Sequence, residues 1–166
     1  MNLSVRPASP DDARIIIDFN LALASESEDL VLSREIVERG VAHALADPAL
    51  ALYFVAEDDM PGGRRIVGQT MVTYEWSDWR DGMFWWIQSV FVDPAQRKHG
   101  VFRAIYKHIE AAARADATAC GIRLYVEDNN LRAKQTYHAL GMARGGYEVL
   151  EVDFRAPARL AAKQDH

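Results

Sequence analysis

The chain has 166 residues, of which 49 % are hydrophobic and 26 % charged, as suits a soluble globular protein with a real core. A formal net charge of −5 argues against a general nucleic-acid binder, which would carry a basic excess. Cys120 is the single cysteine, and the five histidines form no HxxxH or HExxH pair, so an internal disulfide is excluded and no metal is expected.

Leu3-Ser4-Val5-Arg6-Pro7 alternates as a first strand and does not read as a signal peptide. No apolar run approaches membrane-spanning length, so a cytoplasmic location is the simplest expectation. Ser9-Pro10-Asp11-Asp12 supplies an N-cap, a proline at the first helical position and two acids for the helix dipole. Ile15, Ile16, Phe19 and Leu23 follow at helical spacing. Ser25-Glu26-Ser27-Glu28-Asp29 reads as an acidic loop, and Ser33 as the cap of a second helix that stops at Asp47-Pro48. Ala51 to Glu57, Ile66 to Trp76 and Met83 to Val92 read as three strands. Turns at Asp58 to Gly63 and Ser77 to Gly82 join them. Val101, Ile105, Ile109 and Ala112 mark a helix ending near Gly121. Ile122 to Glu127 is a strand, and Asn130 opens a helix through Ala133 and Tyr137 that Gly141 closes. Tyr147 to Phe154 alternates as a final strand, and the Ala-rich tail is expected to fray. The order β-α-α-β-β-β-α-β-α-β predicts a mixed sheet in one domain over residues 1–155, with a tail over 156–166.

The segment Val92-Asp93-Pro94-Ala95-Gln96-Arg97-Lys98-His99-Gly100-Val101-Phe102-Arg103 places a basic, glycine-bearing turn between a strand and a helix. A helix N-terminus leaves backbone N–H groups without partners and carries partial positive charge. Gly100 permits close backbone approach, and Arg97, Lys98, His99 and Arg103 add donors, so the turn suits an anion such as a diphosphate. It matches neither GxxxxGK[ST] nor GxGxxG. A solvated, well-capped connection would use the same residues.

The turn resembles the [Q/R]-x-x-G-x-[G/A] loop of the GNAT superfamily of acetyl-CoA-dependent N-acyltransferases. Arg97 and Gly100 match, and Phe102 departs from the usual Gly or Ala. A second stretch is similar to the family pattern V-x-x-x-N-x-x-A-x-x-x-Y-x-x-x-G-[F/M] at Val126, Asn130, Ala133, Tyr137, Gly141 and Met142. The resemblance covers nearly the whole chain. It implies an α/β (α+β) fold with a mixed, mostly antiparallel twisted sheet of six to seven strands and about four helices. It implies acetyl transfer from acetyl-CoA to a primary amine of a small molecule or protein, by direct attack through a tetrahedral intermediate. The strand Gln88-Ser89-Val90-Phe91-Val92 would splay from Leu124-Tyr125-Val126 and pair its backbone with the pantetheine arm. The N–H near Val90 would polarise the thioester oxygen. Arg97 through Arg103 would take the diphosphate. Asn130 and Ala133 would lie on the cofactor, and Tyr137 would protonate the departing thiolate.

A thioester is already activated, so no nucleophilic Ser or Cys is needed, and Cys120 reads as packing. Glu75, Asp78, Glu127, Asp128, Glu26 and Glu28 are candidate bases, with Glu75 nearest the motif strand and a water relay an open alternative. Glu26, Glu28, Trp76 and Gln88 are expected to face the acceptor, and the aromatic run around Trp85 suggests a cationic amine. Pairing of the final strand would make a homodimer. A non-catalytic acyl-CoA sensor on the same fold is the competing reading, and an unrelated nucleotide binder a third.

Overall fold

The structure is a computed structural model that describes residues 2–127, 130–152 and 154. It forms two compact units, Met1–Glu127 and Asp128–His166. The first holds a five-stranded sheet in the order β1-β2-β3-β4-β5. Its strands are β1 (Leu3–Pro7), β2 (Leu52–Met60), β3 (Gly63–Ser77), β4 (Gly82–Val92) and β5 (Ala119–Leu124). The first four are antiparallel neighbours, and β5 joins β4 in parallel. That parallel step needs a crossover, which α3 (Val101–Ala115) supplies.

Helices cover both sheet faces. α1 (Ala13–Glu28) and α2 (Arg34–Ala46) bury Ile16, Ile17, Val41 and Ala44 with Tyr53 and Val55 of β2. On the other face α3 contacts all five strands. Its Val101, Ile105, Ile109 and Ala113 recur every four residues and are buried. At Gly68 of β3 a Cβ would lie 2.9 Å from Val101 Cγ1 and 3.1 Å from the Phe91 carbonyl oxygen. Gly68→Ala is therefore expected to cost about 1–3 kcal/mol by overpacking, read as a lower urea midpoint.

The entry to α1 is pinned by charge. A 3₁₀ turn, Pro10–Asp12, follows Ser9, whose N–H donates to Asp12 Oδ2 at 2.7 Å. Arg6 donates to both Asp12 oxygens, at 2.7 and 2.9 Å, and to Glu57 Oε1. The Arg6 guanidinium holds the buried Asp12 carboxyl at about 2, lowered from 3.8. The folded value lies below the unfolded one, so this stabilisation is present above about pH 4 and is lost as pH falls towards 2. It amounts to roughly 2 kcal/mol. Asp12→Asn should lose that stability at pH 7 and flatten the decline between pH 4 and 2, as urea unfolding across that range would read.

Several boundaries differ from the sequence expectation. Among the described residues five strands form, not six to seven. Ser25 to Glu28 are not a loop but the last turn of α1, which closes at Asp29 with φ +53. Glutamates and serines carry no obligatory helix stop, so the helix continues until the left-handed residue. α3 stops at Ala115, and β5 begins at Ala119, so Cys120 lies within the strand and Tyr125 to Glu127 outside it. Asp116 ends the helix early, because its carboxylate accepts from the Thr118 N–H at 2.8 Å and Oγ at 2.8 Å.

In the second unit, α4 (Leu131–Ala139) forms as expected. No strand forms over residues 147–152, where Tyr147, Val149, Leu150 and Val152 are exposed. An alternating pattern becomes a strand only with a paired neighbour, and none engages those residues among the described ones. The expected tail 156–166, and the candidate base Asp128, lie outside the described residues.

Candidate active site

β4 pairs with β3 from Ser77↔Gly82 to Met71↔Gln88, then resumes at Gln69↔Phe91. Between these pairs Thr70 faces both Ser89 and Val90, so β4 carries a bulge. Ser89 sits at φ +51, a left-handed conformation that costs a serine roughly 1–2 kcal/mol. Thr70 Oγ1 pins the distortion by donating to the Gln88 carbonyl at 2.9 Å. The bulge disrupts the ladder and re-aims the backbone at Ser89 and Val90.

The opposite edge of β4 also opens here. Pairing with β5 runs from Met83↔Ala119 only to Ile87↔Leu124. Beyond Ile87, that edge of β4 has no partner strand among the described residues. The Asp93 N–H bonds Val67 O of β3 at 3.0 Å, so by alternation the Val92 peptide groups face the open side. The Phe91 side chain points elsewhere, buried against Phe19 of α1 with ring centroids 4.9 Å apart.

This open edge runs into the basic turn. Asp93 accepts from the Ala95 N–H at 3.0 Å and starts a 3₁₀ turn, Pro94–Gln96. Lys98 at φ +69 and Gly100 at φ +83 are both left-handed. Such turns gather successive N–H groups into an anion-binding concavity. The Gly100 carbonyl accepts from the Ala104 N–H at 2.9 Å, so the amides of Val101 to Arg103 precede the first bond of α3. Among the described residues, its chain neighbours aside, a Cβ on Gly100 would meet no atom within 4 Å. The glycine thus borders open space, and Lys98, His99 and Arg103 are exposed around it. This geometry fits a diphosphate.

Two residues of the turn face elsewhere. Arg97 folds back: its Nε donates to Val92 O at 3.0 Å, its Nη2 pairs with Glu26 Oε2, and its guanidinium lies 5.6 Å from the Phe91 ring centroid. Glu26 therefore meets the turn, while Glu28 ends α1. Phe102, half-buried, sets its ring 6.3 Å from that of Tyr106 one helical turn on. This ring packing accounts for a bulky residue where the family pattern has a small one.

On the sheet face that carries α1, β3, β4 and β5 align a polar and aromatic cluster. Glu75 accepts from Trp86 Nε1 at 2.6 Å through one oxygen and from Arg123 Nη1 at 2.7 Å through the other. Gln88 donates to Thr73 Oγ1 beside it. Trp86 stacks on Tyr125 at 4.3 Å. Trp76 is exposed and, by strand alternation, points to the face opposite Glu75. Trp86 and Arg123 carry no motif that singles them out in the sequence. Their proximity to Glu75 depends on the β3–β4 register and the parallel β4–β5 pairing, which composition does not reveal.

In the second unit, the Asn130 side chain caps α4 by accepting from the Ala133 N–H at 3.0 Å. The Tyr137 hydroxyl is protonated at neutral pH even at its ordinary value, and burial pushes that value further up.

The chain matches the Acetyltransferase (GNAT) family over residues 19–142. It belongs to the GNAT acetyltransferase family. This GNAT chain is 38% identical to a protein of Clostridium difficile 630 described as a possible acetyltransferase, with a TM-score of 0.81. That alignment covers 92% of this chain and 98% of the other. Two more distant structures share the fold. One is glucosamine-6-phosphate N-acetyltransferase from Arabidopsis thaliana, at 17% identity and TM-score 0.70, covering 92% of this chain and 99% of that one. The other is AAC(6')-Iy in complex with the bisubstrate analogue CoA-S-monomethyl-acetylneamine, at 12% identity and TM-score 0.71, with the same coverage, 92% and 99%. None of the curated proteins matches the chain in sequence. GNAT enzymes use acetyl-CoA as cosubstrate. Among the described residues, no group of three or more His, Cys, Asp or Glu side chains could hold a metal ion. No helix among them is long and apolar enough to cross a membrane.

Proposed function

We propose that this GNAT acetyltransferase moves the acetyl group of acetyl-CoA directly to a primary amine. The observation that carries this reading is the parting of β4 from β5 at Ile87↔Leu124, immediately before the bulge and ahead of the left-handed turn at Gly100. One continuous backbone edge thereby offers groups for an extended amide-bearing arm and then for a diphosphate. Acetyl-CoA supplies the activated acyl group. The re-aimed amide at Val90 holds the thioester oxygen, where developing negative charge is stabilised best by a fixed donor. Val92 binds the arm through its backbone, and the amides from Lys98 to Arg103 bind the phosphates. Asn130 and Ala133 belong to the cofactor side by motif match. Tyr137, protonated at neutral pH, gives the thiolate its proton. Glu75 is bonded to Trp86 and to Arg123, so we assign it the orienting role and a water the removal of the proton from the amine. Release of free thiol from acetyl-CoA, followed over a panel of primary amines, tests the reading. Amine-dependent release supports it. Tight acetyl-CoA binding with no release over any amine would instead make the chain an acyl-CoA sensor.

A further inference from the structure

Arg123 is the least expected member of the cluster on the α1 face of the sheet. Its guanidinium lies 3.7 Å from the Phe84 ring centroid and 5.8 Å from that of Trp86. The stack is built into the backbone: a Cβ on Gly121, which pairs with Phe84, would lie 2.7 Å from Phe84 Cε1. Glycine at 121 therefore lets the ring lie across β5, and the ring supports the guanidinium. Arginine carries five N–H donors in a planar fork. Among the described residues one of them is used, Nη1 to Glu75 at 2.7 Å. Glu75, by contrast, has both oxygens engaged, by Arg123 and by Trp86. The cluster thus presents spare donors of a cation whose charge partner, Glu75, is already paired with it. Arg123 keeps 31% of its side chain exposed.

Its position matters. Arg123 pairs with Trp86, one register before the last β4–β5 pair, Ile87↔Leu124, where the open edge begins. Arg123 thus lies on the sheet face opposite α3, beside the point where the β4 edge loses its partner strand. Trp86 to Val90 is four strand residues, about 13 Å at roughly 3.3 Å each, so an anionic group held by the tethered guanidinium must stand well away from the reacting amine.

From this we infer that Arg123 determines acceptor specificity, and that the acceptor is a primary amine carrying an anionic group several bonds from the nitrogen. This rests on the acetyl-transfer reading above. It differs from the expectation of a cationic acceptor in resting on the four unused N–H donors of Arg123 among the described residues. A stacked, tethered guanidinium binds a carboxylate or phosphate with little further ordering.

The test uses 4-aminobutyrate, 6-aminohexanoate and lysine, each against its carboxamide, with spermidine as the cationic alternative. The wild-type enzyme should favour the carboxylates in kcat/KM by tenfold or more. Arg123→Gln should bring that ratio near unity with the KM for acetyl-CoA unchanged, and Arg123→Lys should restore part of it. Circular dichroism and calorimetric titration with acetyl-CoA on the same preparations report folding and cosubstrate binding. Equal use of the carboxamides, preference for spermidine, a ratio that survives Arg123→Gln, or no use of any of these amines by an enzyme that binds acetyl-CoA would overturn the inference. Failure to bind acetyl-CoA at all would instead overturn the reading beneath it.

Discussion

Gly100→Val is expected to raise the Kd for acetyl-CoA by about tenfold or more, equivalent to about 1.4 kcal/mol. Two effects combine. Gly100 holds φ +83, where a β-branched residue is strained by at least roughly 1–2 kcal/mol. The turn would relax away from its anion-binding shape. The new side chain would also enter the open space beside the amides of α3, where no atom of the other described residues stands within 4 Å of the Cβ. Gly100→Asn separates the two, because asparagine tolerates the left-handed conformation. It should keep the thermal midpoint within about a degree or two of wild type and still weaken binding. Calorimetric titration of both variants checks this. An unchanged Kd in Gly100→Val would remove the turn from the cosubstrate site.

Tyr137→Phe is expected to lower kcat by about a hundredfold while changing the KM for acetyl-CoA little, the signature of a group that acts in the transition state. The pH dependence carries the same information. Burial raises the Tyr137 hydroxyl above its usual value, so the acid form persists through neutral pH and is lost only as pH rises through that raised value. Wild-type kcat should therefore fall on the alkaline side, and the phenylalanine variant should lack that limb. A variant with wild-type kcat would return Tyr137 to a packing role.

How much of the molecule is readable in its sequence differs by element. The helices announce themselves through periodicity and punctuation. Ser33 precedes α2, and Val101, Ile105 and Ile109 define the buried face of α3. The turn at Gly100 is legible because a glycine after a basic run and before an amphipathic helix brings bare amides, cationic side chains and a helix N-terminus to one place. The bulge is not legible. Ser89 carries no preference for φ +51, and the distortion follows from the register that β3 imposes on both sides of Thr70. Glu75 stands out as an acid near the motif strand, but its sequence neighbours do not reveal that Trp86 and Arg123 bond its oxygens. Those partners lie 11 and 48 residues away in sequence and meet only through the sheet. Arg97 misleads in the opposite sense. Its charge suggests an anion contact, whereas its side chain turns back to Val92 and Glu26. The exposed Arg97–Glu26 pair is worth about 1 kcal/mol or less, so the turn's shape rests mainly on its backbone.

The central claim is that the β4 edge and the following turn together bind acetyl-CoA. Amide hydrogen exchange with and without acetyl-CoA tests it most directly. Exchange should slow at Val90 and Val92 and from Lys98 to Arg103, with little change over β1 and β2. Protection confined to other segments, or absent along both the β4 edge and the turn, would contradict it.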